Sequence, residues 1–196
     1  MSRTALPRAQ QAADEAGLRF VEAFLATAPA ALAGDPERDE LAGLTRARRW
    51  LRGALAGFAP RSRLARPSVG LRREDLAPLA TFRESLREAL RADAPRRSAP
   101  AGPDDFAVEL RWSPGEGVRY RPTGEGWRAV AGLVAVELLR AEAAGTLGRL
   151  KTCAYPPCGF PFVDRSPTVS RMWHDTKRCG NLVNLRAARA RASAGT

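Results

Sequence analysis

Four side chains that can bind a soft metal ion lie within one short window of this sequence. The chain contains three cysteines and one histidine, and all four fall between residues 153 and 179. They form two pairs with the same internal spacing, Cys153-x4-Cys158 and His174-x4-Cys179, separated by 15 residues. Zn²⁺ takes four such ligands in a tetrahedron, and each short-spaced pair can bind one side of the ion. The pattern predicts one structural zinc ion, with no coordination position left for water or substrate.

Two other interpretations fit the same residue types. Buried cysteines behave as small apolar residues, and a lone histidine is often an ordinary core residue. The cysteines could also form disulfides, but their odd number, the lack of an apolar signal segment in residues 1–10 and an expected reducing cytosol argue against this. Pro156 and Pro157 make a stiff turn inside the first pair and Gly159 follows it, which favours a metal-binding knuckle.

The charge of the chain is concentrated in the same region. The net charge of +11 suggests a polyanionic partner, although an arginine-rich composition with only two lysines is also typical of a high-GC genome. From Arg149 onward there are nine basic and two acidic residues, hence +7, which leaves +4 for the first 148 residues. No apolar run is long enough to cross a membrane. We therefore expect a soluble, cytoplasmic protein without membrane association.

Periodicity predicts the elements that must position the four ligands. Apolar residues at helical spacing predict helices over residues 17–33, 36–58, 73–91 and 127–145, the third interrupted or kinked near Pro78. Alternation over residues 106–121 predicts a β-hairpin. Four arginines crowd the second helix, which indicates a solvated face or, alternatively, an anionic ligand or partner: Arg46, Arg48, Arg49 and Arg52.

The region around the ligand pairs reads as a small separate module. A short strand is expected at residues 160–162 and a last helix at 182–192, with Leu182 and Leu185 facing inward. The predicted fold class is mainly α with a β-hairpin, hence α+β. It consists of a helical N-terminal domain, residues 12–148, and a C-terminal zinc-finger module, residues 149–193, with a short strand pair and a terminal helix.

Several short motifs carry a resemblance to a known family. They are Cys153-Ala-Tyr-Pro-Pro-Cys158, Phe162-Val-Asp-Arg-Ser166, Arg171-Met-Trp-His174 and Cys179-Gly-Asn181. Together they resemble the CGNR zinc finger, which closes bacterial proteins that begin with an ABATE domain and are described as stress-induced transcription regulators. The segment Leu18-Arg-Phe-Val21 resembles the first ABATE helix, but Glu22-Ala23 stands where Asn-Thr is usual.

The resemblance implies a ligand set, a partner and a role. It places zinc on Cys153, Cys158, His174 and Cys179, with histidine where the family more often has cysteine. It implies DNA as partner, but Leu182 replaces the arginine of the naming motif and Asn184 stands where a basic residue is common. The remaining candidates for phosphate contacts, which need charge more than sequence, are Arg171, Lys177, Arg178, Arg186 and Arg189.

The sequence bears on three classes of function, a DNA-binding regulator, an interaction adaptor and an enzyme. The first is a zinc-stabilised, DNA-binding transcription regulator, whose N-terminal domain senses a small-molecule effector or holds a protein partner. The second is a zinc-stabilised protein–protein interaction adaptor without direct DNA contact. An enzyme is not expected, because the sequence offers no Ser-His-Asp set, no phosphate-binding loop and no usefully spaced carboxylate pair, and its single histidine is a predicted metal ligand.

Overall fold

A computed structural model of the chain describes residues 8–30, 38–58, 69–91, 106–115 and 117–194. Within these ranges the chain forms five α-helices and four short β-strands. They are α1 (Arg8–Leu25), α2 (Leu44–Phe58), α3 (Leu76–Arg91), β1 (Val108–Ser113), β2 (Gly117–Pro122), α4 (Gly126–Ala143), β3 (Leu150–Thr152), β4 (Pro161–Val163) and α5 (Asn181–Ala194). The predicted α+β fold class is confirmed.

Helix α1 belongs to the core of the helical part because its apolar residues recur at helical spacing. Leu18, Val21 and Leu25 are separated by three and four residues and are buried. The helix ends where Thr27 Oγ1 donates a 2.7 Å hydrogen bond to the Phe24 carbonyl and satisfies one of the last helical acceptors. The prediction of a helix over residues 17–33 is therefore wrong at its start and over residues 26–30, while residues 31–33 lie outside the described ranges.

Helices α2 and α3 flank α1 and close the core with aromatic rings. Helix α2 begins at Leu44, later than predicted, and part of the predicted extension lies outside the described residues. Helix α3 runs through Pro78 without interruption, because this proline falls in the first helical turn, where its missing N–H has no intrahelical acceptor. The Phe24 ring of α1 stacks against Phe82 of α3 at 5.7 Å between centroids.

Helix α4 is the central helix, and the hairpin packs beside it. Val130, Leu133 and Val134 of α4 are fully buried, as their nearly continuous apolar sequence predicts. Strands β1 and β2 pair antiparallel from Val108 opposite Pro122 to Ser113 opposite Gly117. This confirms the predicted hairpin.

The strand pair β3–β4 joins the helical part to the segment with the metal ligands. The two strands pair antiparallel, with Leu150 opposite Val163, and both of these side chains lie in the core formed by the helices. The strands pack against α1 and α3. The predicted boundary at residue 149 stays a prediction, but burial of both side chains shows that the strand pair shares the helical core. Among the described residues, no helix combines the length and apolar character needed to cross a bilayer.

Candidate metal centre

The four predicted ligands converge on one point. The Sγ atoms of Cys153, Cys158 and Cys179 and a ring nitrogen of His174 all lie within 4.8 Å of one another. The three cysteines are buried and carry no disulfide, so the disulfide alternative does not describe them. Two separate segments of chain, one for each ligand pair, therefore build a single Cys3His cluster.

The distances in this cluster fit a tetrahedral zinc ion. His174 Nδ1 lies 3.4 Å from Cys158 Sγ and 3.7 Å from Cys179 Sγ. Zinc bonds of about 2.3 Å to sulfur and about 2.0–2.1 Å to nitrogen, at tetrahedral angles, separate the sulfur and nitrogen atoms by about 3.6 Å. The residues present therefore form a zinc-binding site, and four protein ligands complete the coordination. Such a closed set supports a structural ion, which would contribute folding free energy by binding the two ligand segments together.

The protonation of these ligands depends on whether a cation is bound. Burial, followed by the neighbouring Cys153 and Cys158 thiols, raises the pKa of Cys179 to about 12. Burial likewise raises the pKa of Cys158 and lowers the pKa of His174. Without a cation, Cys158 and Cys179 therefore favour the neutral thiol, and His174 favours the neutral imidazole. A divalent ion supplies the positive charge that stabilises thiolates, and the neutral imidazole is already the form that binds metal.

Local backbone geometry explains the first ligand pair. The Cys153 N–H donates to the Phe160 carbonyl at 2.9 Å, and the Cys158 N–H donates to the Tyr155 carbonyl at 2.8 Å. The chain then reverses at Gly159, whose φ of 53° lies in the left-handed region that disfavours side chains. A Cβ at this position would also meet the Arg91 side chain of α3. The proline-containing turn thus presents both thiols on one side and contacts α3 on the other.

The second ligand pair is held by a short π-helical turn, Thr176–Gly180, that leads into α5. Asp175 caps this turn, because its carboxylate accepts a 3.0 Å hydrogen bond from the Arg178 N–H. Gly180 packs closely, since a Cβ there would lie 3.2 Å from the Trp173 ring and the ring would have to shift by a few tenths of an ångström. Cys179 therefore enters the cluster from the residue pair immediately before α5, as the sequence predicts.

A buried carboxylate, Asp164 in the Phe162-Val-Asp-Arg-Ser166 motif, organises the loop before His174. Asp164 is fully buried, and its oxygens accept hydrogen bonds from Lys151 Nζ at 2.8 Å, the Ser166 N–H at 2.9 Å and the Arg171 N–H at 2.8 Å. Burial disfavours its ionised form, but these donors hold the pKa of the Asp164 carboxyl well below its usual range. The Asp-x-Ser spacing, typical of a side chain that bonds its own backbone two residues on, is the sequence signal for this role.

Lys151 completes the same network from strand β3. Besides Asp164, its ammonium group donates to the Val169 carbonyl at 2.6 Å and the Arg171 carbonyl at 3.2 Å. A lysine has three donors, and all three find an acceptor here. The network fixes the loop between β4 and His174 and sets the approach of the histidine to the thiols.

The predicted phosphate-binding residues divide into two groups. Arg171 is engaged within the module, since its guanidinium donates to the His174 carbonyl at 2.8 Å and lies over the Phe162 ring at 5.4 Å. The Arg186 guanidinium lies over the Tyr155 ring at 5.0 Å, and Arg186 is nevertheless exposed to solvent. Lys177, Arg178 and Arg189 are exposed. All five predicted residues are therefore exposed, but Arg171 and Arg186 also make contacts within the module.

The two leucines of α5 behave differently from each other. Leu182 is half-buried and packs with Val183 against the cluster formed by the three cysteines and Tyr155, so the prediction that it faces inward is confirmed. Leu185 is 48% exposed, so the same prediction is wrong for this residue. The reason is the length of the contact, because only the first turn of α5 reaches the zinc cluster. Helical periodicity indicated two leucines on adjoining faces but gave no information on how far the module extends.

Glu22 of α1 connects the helical part to the zinc module. Its carboxylate accepts a 2.9 Å hydrogen bond from the Val163 N–H of β4 and a 3.2 Å hydrogen bond from Arg165. The outer edge of the strand pair is therefore satisfied by a helix side chain rather than by another strand. The resemblance marked this position only as a departure from the usual asparagine.

A comparison with protein families identifies the C-terminal segment. Residues 149–192 match the CGNR zinc finger, so the chain contains a CGNR zinc finger domain around the Cys3His cluster. The chain gives no match among curated proteins and no match among solved structures. The ABATE assignment of the helical part stays a prediction.

Proposed function

We propose that this protein is a DNA-binding transcription regulator in which the zinc module presents α5 to the phosphate backbone. The observation that carries the proposal is the exposure of this helix. Every side chain from Asn184 to Ser193 that the structure describes is exposed, and apolar packing against the zinc cluster involves only the first turn. A helix that is solvated over most of its length gains little from packing against its own chain, which favours an external partner.

The size and charge of α5 fit the major groove of DNA. Its 14 residues span about 21 Å at 1.5 Å per residue, and a helix fits into a groove about 12 Å wide. Arg186, Arg189 and Arg191 leave the helix in different directions, because successive residues turn by about 100°. A helix lying in the groove would thus direct guanidinium groups toward phosphates of both strands. Lys177 and Arg178 add positive charge at its beginning.

The residues at the first turn favour contacts with phosphates over reading of bases. Leu182 packs toward the zinc cluster, so its side chain is directed away from an approaching duplex. Asn184 is uncharged, whereas CGNR zinc fingers commonly have a basic residue at this position. Phosphate contacts fix position but carry no direct sequence information. We therefore expect α5 to bind many DNA sequences with similar affinity.

The helical part would act as the sensing or partner-binding domain. An open cavity of about 600 Å³ lies between α2 and the start of α4. It is lined by three arginines, Arg48, Arg72 and Arg128, by three acidic residues, Glu74, Asp75 and Glu125, and by Trp127. Charges of both signs beside an aromatic ring suit a small polar ligand that carries both donor and acceptor groups. This supports an effector site that includes one of the arginines crowded on α2.

A comparison of arginine variants tests the proposal. Fluorescence anisotropy would measure the affinity of the zinc-loaded protein for several unrelated duplexes. Arg186→Ala with Arg189→Ala should weaken binding to all of them alike, whereas the matched exposed pair Arg52→Ala with Arg73→Ala, which lies outside the zinc module, should leave it unchanged. Equal zinc content in all variants is the folding control. Absence of DNA binding by the wild-type protein at moderate salt would contradict the proposal and favour the adaptor function.

A further inference from the structure

The hairpin presents an apolar surface that the described chain leaves uncovered. Leu110 and Trp112 of β1 are 69% and 71% exposed, and Val118, which pairs with Trp112, is 46% exposed. Side chains alternate along a strand, so these three share one face with Tyr120 and Pro122. The latter two are buried against the core, whereas Leu110, which lies directly opposite Tyr120, and the pair Trp112 and Val118 nearer the turn are exposed. A cross-strand tryptophan and valine exposed together indicate a surface that another molecule covers.

The two edges of the hairpin differ in their ability to pair with a further strand. Among the described residues the hairpin has only two strands, so neither edge pairs with a further strand. When two β2 strands pair antiparallel about Tyr120, Arg119 lies opposite Arg121 of the partner subunit, and Pro122 lacks an N–H donor. On β1, Glu109 and Arg111 carry opposite charges on the face away from Trp112. Strand β1 is therefore the edge suited to self-pairing.

Charge selects one register for this pairing. When two β1 strands pair antiparallel about Leu110, Glu109 lies opposite Arg111 of the partner subunit, and Trp112 lies opposite Val108 of the partner subunit. A register shift of two residues sets Glu109 against the partner's Glu109 in one direction, or Arg111 against the partner's Arg111 in the other. A register shift of one residue places residues of the apolar face opposite residues of the charged face. Opposite charges and aromatic–aliphatic pairs directly across a sheet are stabilising, and like charges are destabilising.

Arg111 retains the donors that this contact requires. Its Nε donates to Glu109 Oε1 within the same strand at 2.6 Å, and Arg121 donates to the other oxygen, Oε2, at 2.6 Å. The described residues show no hydrogen bond from the two Nη groups of Arg111, so these can reach a second carboxylate. Each Glu109 oxygen also has a further lone pair available to an incoming guanidinium. The charged face of β1 is thus self-complementary under two-fold symmetry.

We propose that two copies of this chain associate through β1 and form a four-stranded antiparallel sheet with its two-fold axis at Leu110. The same surface serves both subunits, as in the isologous interfaces of most soluble dimers. Trp112 and Leu110 of each subunit become buried against the other hairpin. The dimer carries two zinc modules, and the inference stands independently of what those modules bind.

Sedimentation analysis over a wide range of concentrations tests the proposal with single charge variants and with a mixture of them. Glu109→Arg and Arg111→Glu each set like charges opposite each other at two symmetric positions, so each should weaken dimerisation by about tenfold or more. Trp112→Lys should do the same, because it places a charge in the apolar centre. The matched control Leu139→Lys changes a 64% exposed leucine on α4 and should leave the dimer intact.

Mixing the two single charge variants separates the proposed register from any defect in folding. A chain with arginine at both positions faces complementary charges only on a chain with glutamate at both positions, so the mixture should form heterodimers at wild-type strength. Circular dichroism and zinc content should match the wild type for every variant. A wild-type protein that stays monomeric at all concentrations would overturn the proposal. So would a dimer that withstands Trp112→Lys, or a mixture that fails to recover association.

Discussion

Replacing Asp164 with asparagine tests whether the buried network beside the zinc cluster holds the module in place. The substitution keeps the shape of the side chain but removes its negative charge and converts one acceptor oxygen into a donor. That new NH2 group would face Lys151 Nζ and the Arg171 N–H, or the Ser166 N–H and hydroxyl, all of which donate to Asp164 in the native protein. At least one buried donor would lose its acceptor in either orientation of the amide.

The size of the effect follows from the number and kind of contacts. A hydrogen bond to a charged group contributes about 1.5–3 kcal/mol, and removal of one member of a buried ion pair costs about 3–5 kcal/mol. One orientation of the asparagine retains some bonds, so we expect a loss of about 3 kcal/mol in the free energy of unfolding. Because Arg171 also bonds the His174 carbonyl, zinc affinity should fall by about 10–100-fold, as for other residues that orient metal ligands.

Urea unfolding of the zinc-loaded protein, followed by circular dichroism, measures the first quantity, and competition with a chelator measures the second. Asp175→Asn is the matched control, because asparagine caps a helical turn about as well as aspartate and should cost only a few tenths of a kcal/mol. The lowered pKa of Asp164 means that its stabilising contribution is complete above about pH 4 and is lost as the pH falls further. The difference between wild type and Asp164→Asn should therefore narrow only in acid. Equal stability and zinc affinity of the two proteins at neutral pH would refute the role assigned to Asp164.

Three further changes test other parts of the structure. X-ray absorption should find one zinc per chain with three sulfurs at about 2.3 Å and one nitrogen at about 2.0–2.1 Å, and oxygen ligands would contradict this. Cys158→Ser should abolish zinc binding, while far-ultraviolet circular dichroism should show that α1–α4 persist. Loss of all helical signal in this variant would contradict the second expectation. Glu22→Ala leaves the Val163 N–H without its acceptor and should lower the free energy of unfolding in urea by about 1–3 kcal/mol. Glu15→Ala changes an exposed residue and should lower it by less than about 1 kcal/mol. Equal effects of the two substitutions would argue against the contact of Glu22 with Val163. Leu182→Arg replaces a side chain that packs against the zinc cluster, so it should not tighten DNA binding as measured by anisotropy; a gain in affinity would show that this side chain faces the duplex.

The metal site could be predicted from sequence because it depends on few residues of distinctive chemistry. Cysteine and histidine are rare in this chain, so their clustering and equal spacing left few alternatives, and the structure confirms all four ligands in one cluster. The hairpin and the central helix α4 were predictable for a related reason, since each depends on a local pattern of apolar residues. Helix ends were less so: the stop of α1 depends on a hydrogen bond from Thr27 that periodicity does not encode.

Only the contact between Asp164 and Ser166 could be derived from spacing, because the other members of the supporting network lie further apart in sequence and their partners are mainly backbone atoms. Lys151 and Asp164 meet only once β3 and β4 pair. A weak signal was present: Lys151 is one of two lysines in an arginine-rich chain, and a compact ammonium with three acceptors is a role that a planar guanidinium fills poorly. The contact of Glu22 with β4 likewise required the tertiary fold.

The salt dependence of DNA binding tests the proposed function most directly. Five cationic side chains lie on or beside α5 and are exposed, namely Lys177, Arg178, Arg186, Arg189 and Arg191. If each neutralises one phosphate, the logarithm of affinity should fall against the logarithm of salt concentration with a slope of about −4.5, and the slope for Arg186→Ala with Arg189→Ala should be smaller by about two. A wild-type slope near zero, or one that the double variant leaves unchanged, would contradict the assignment of α5 as the DNA-binding element.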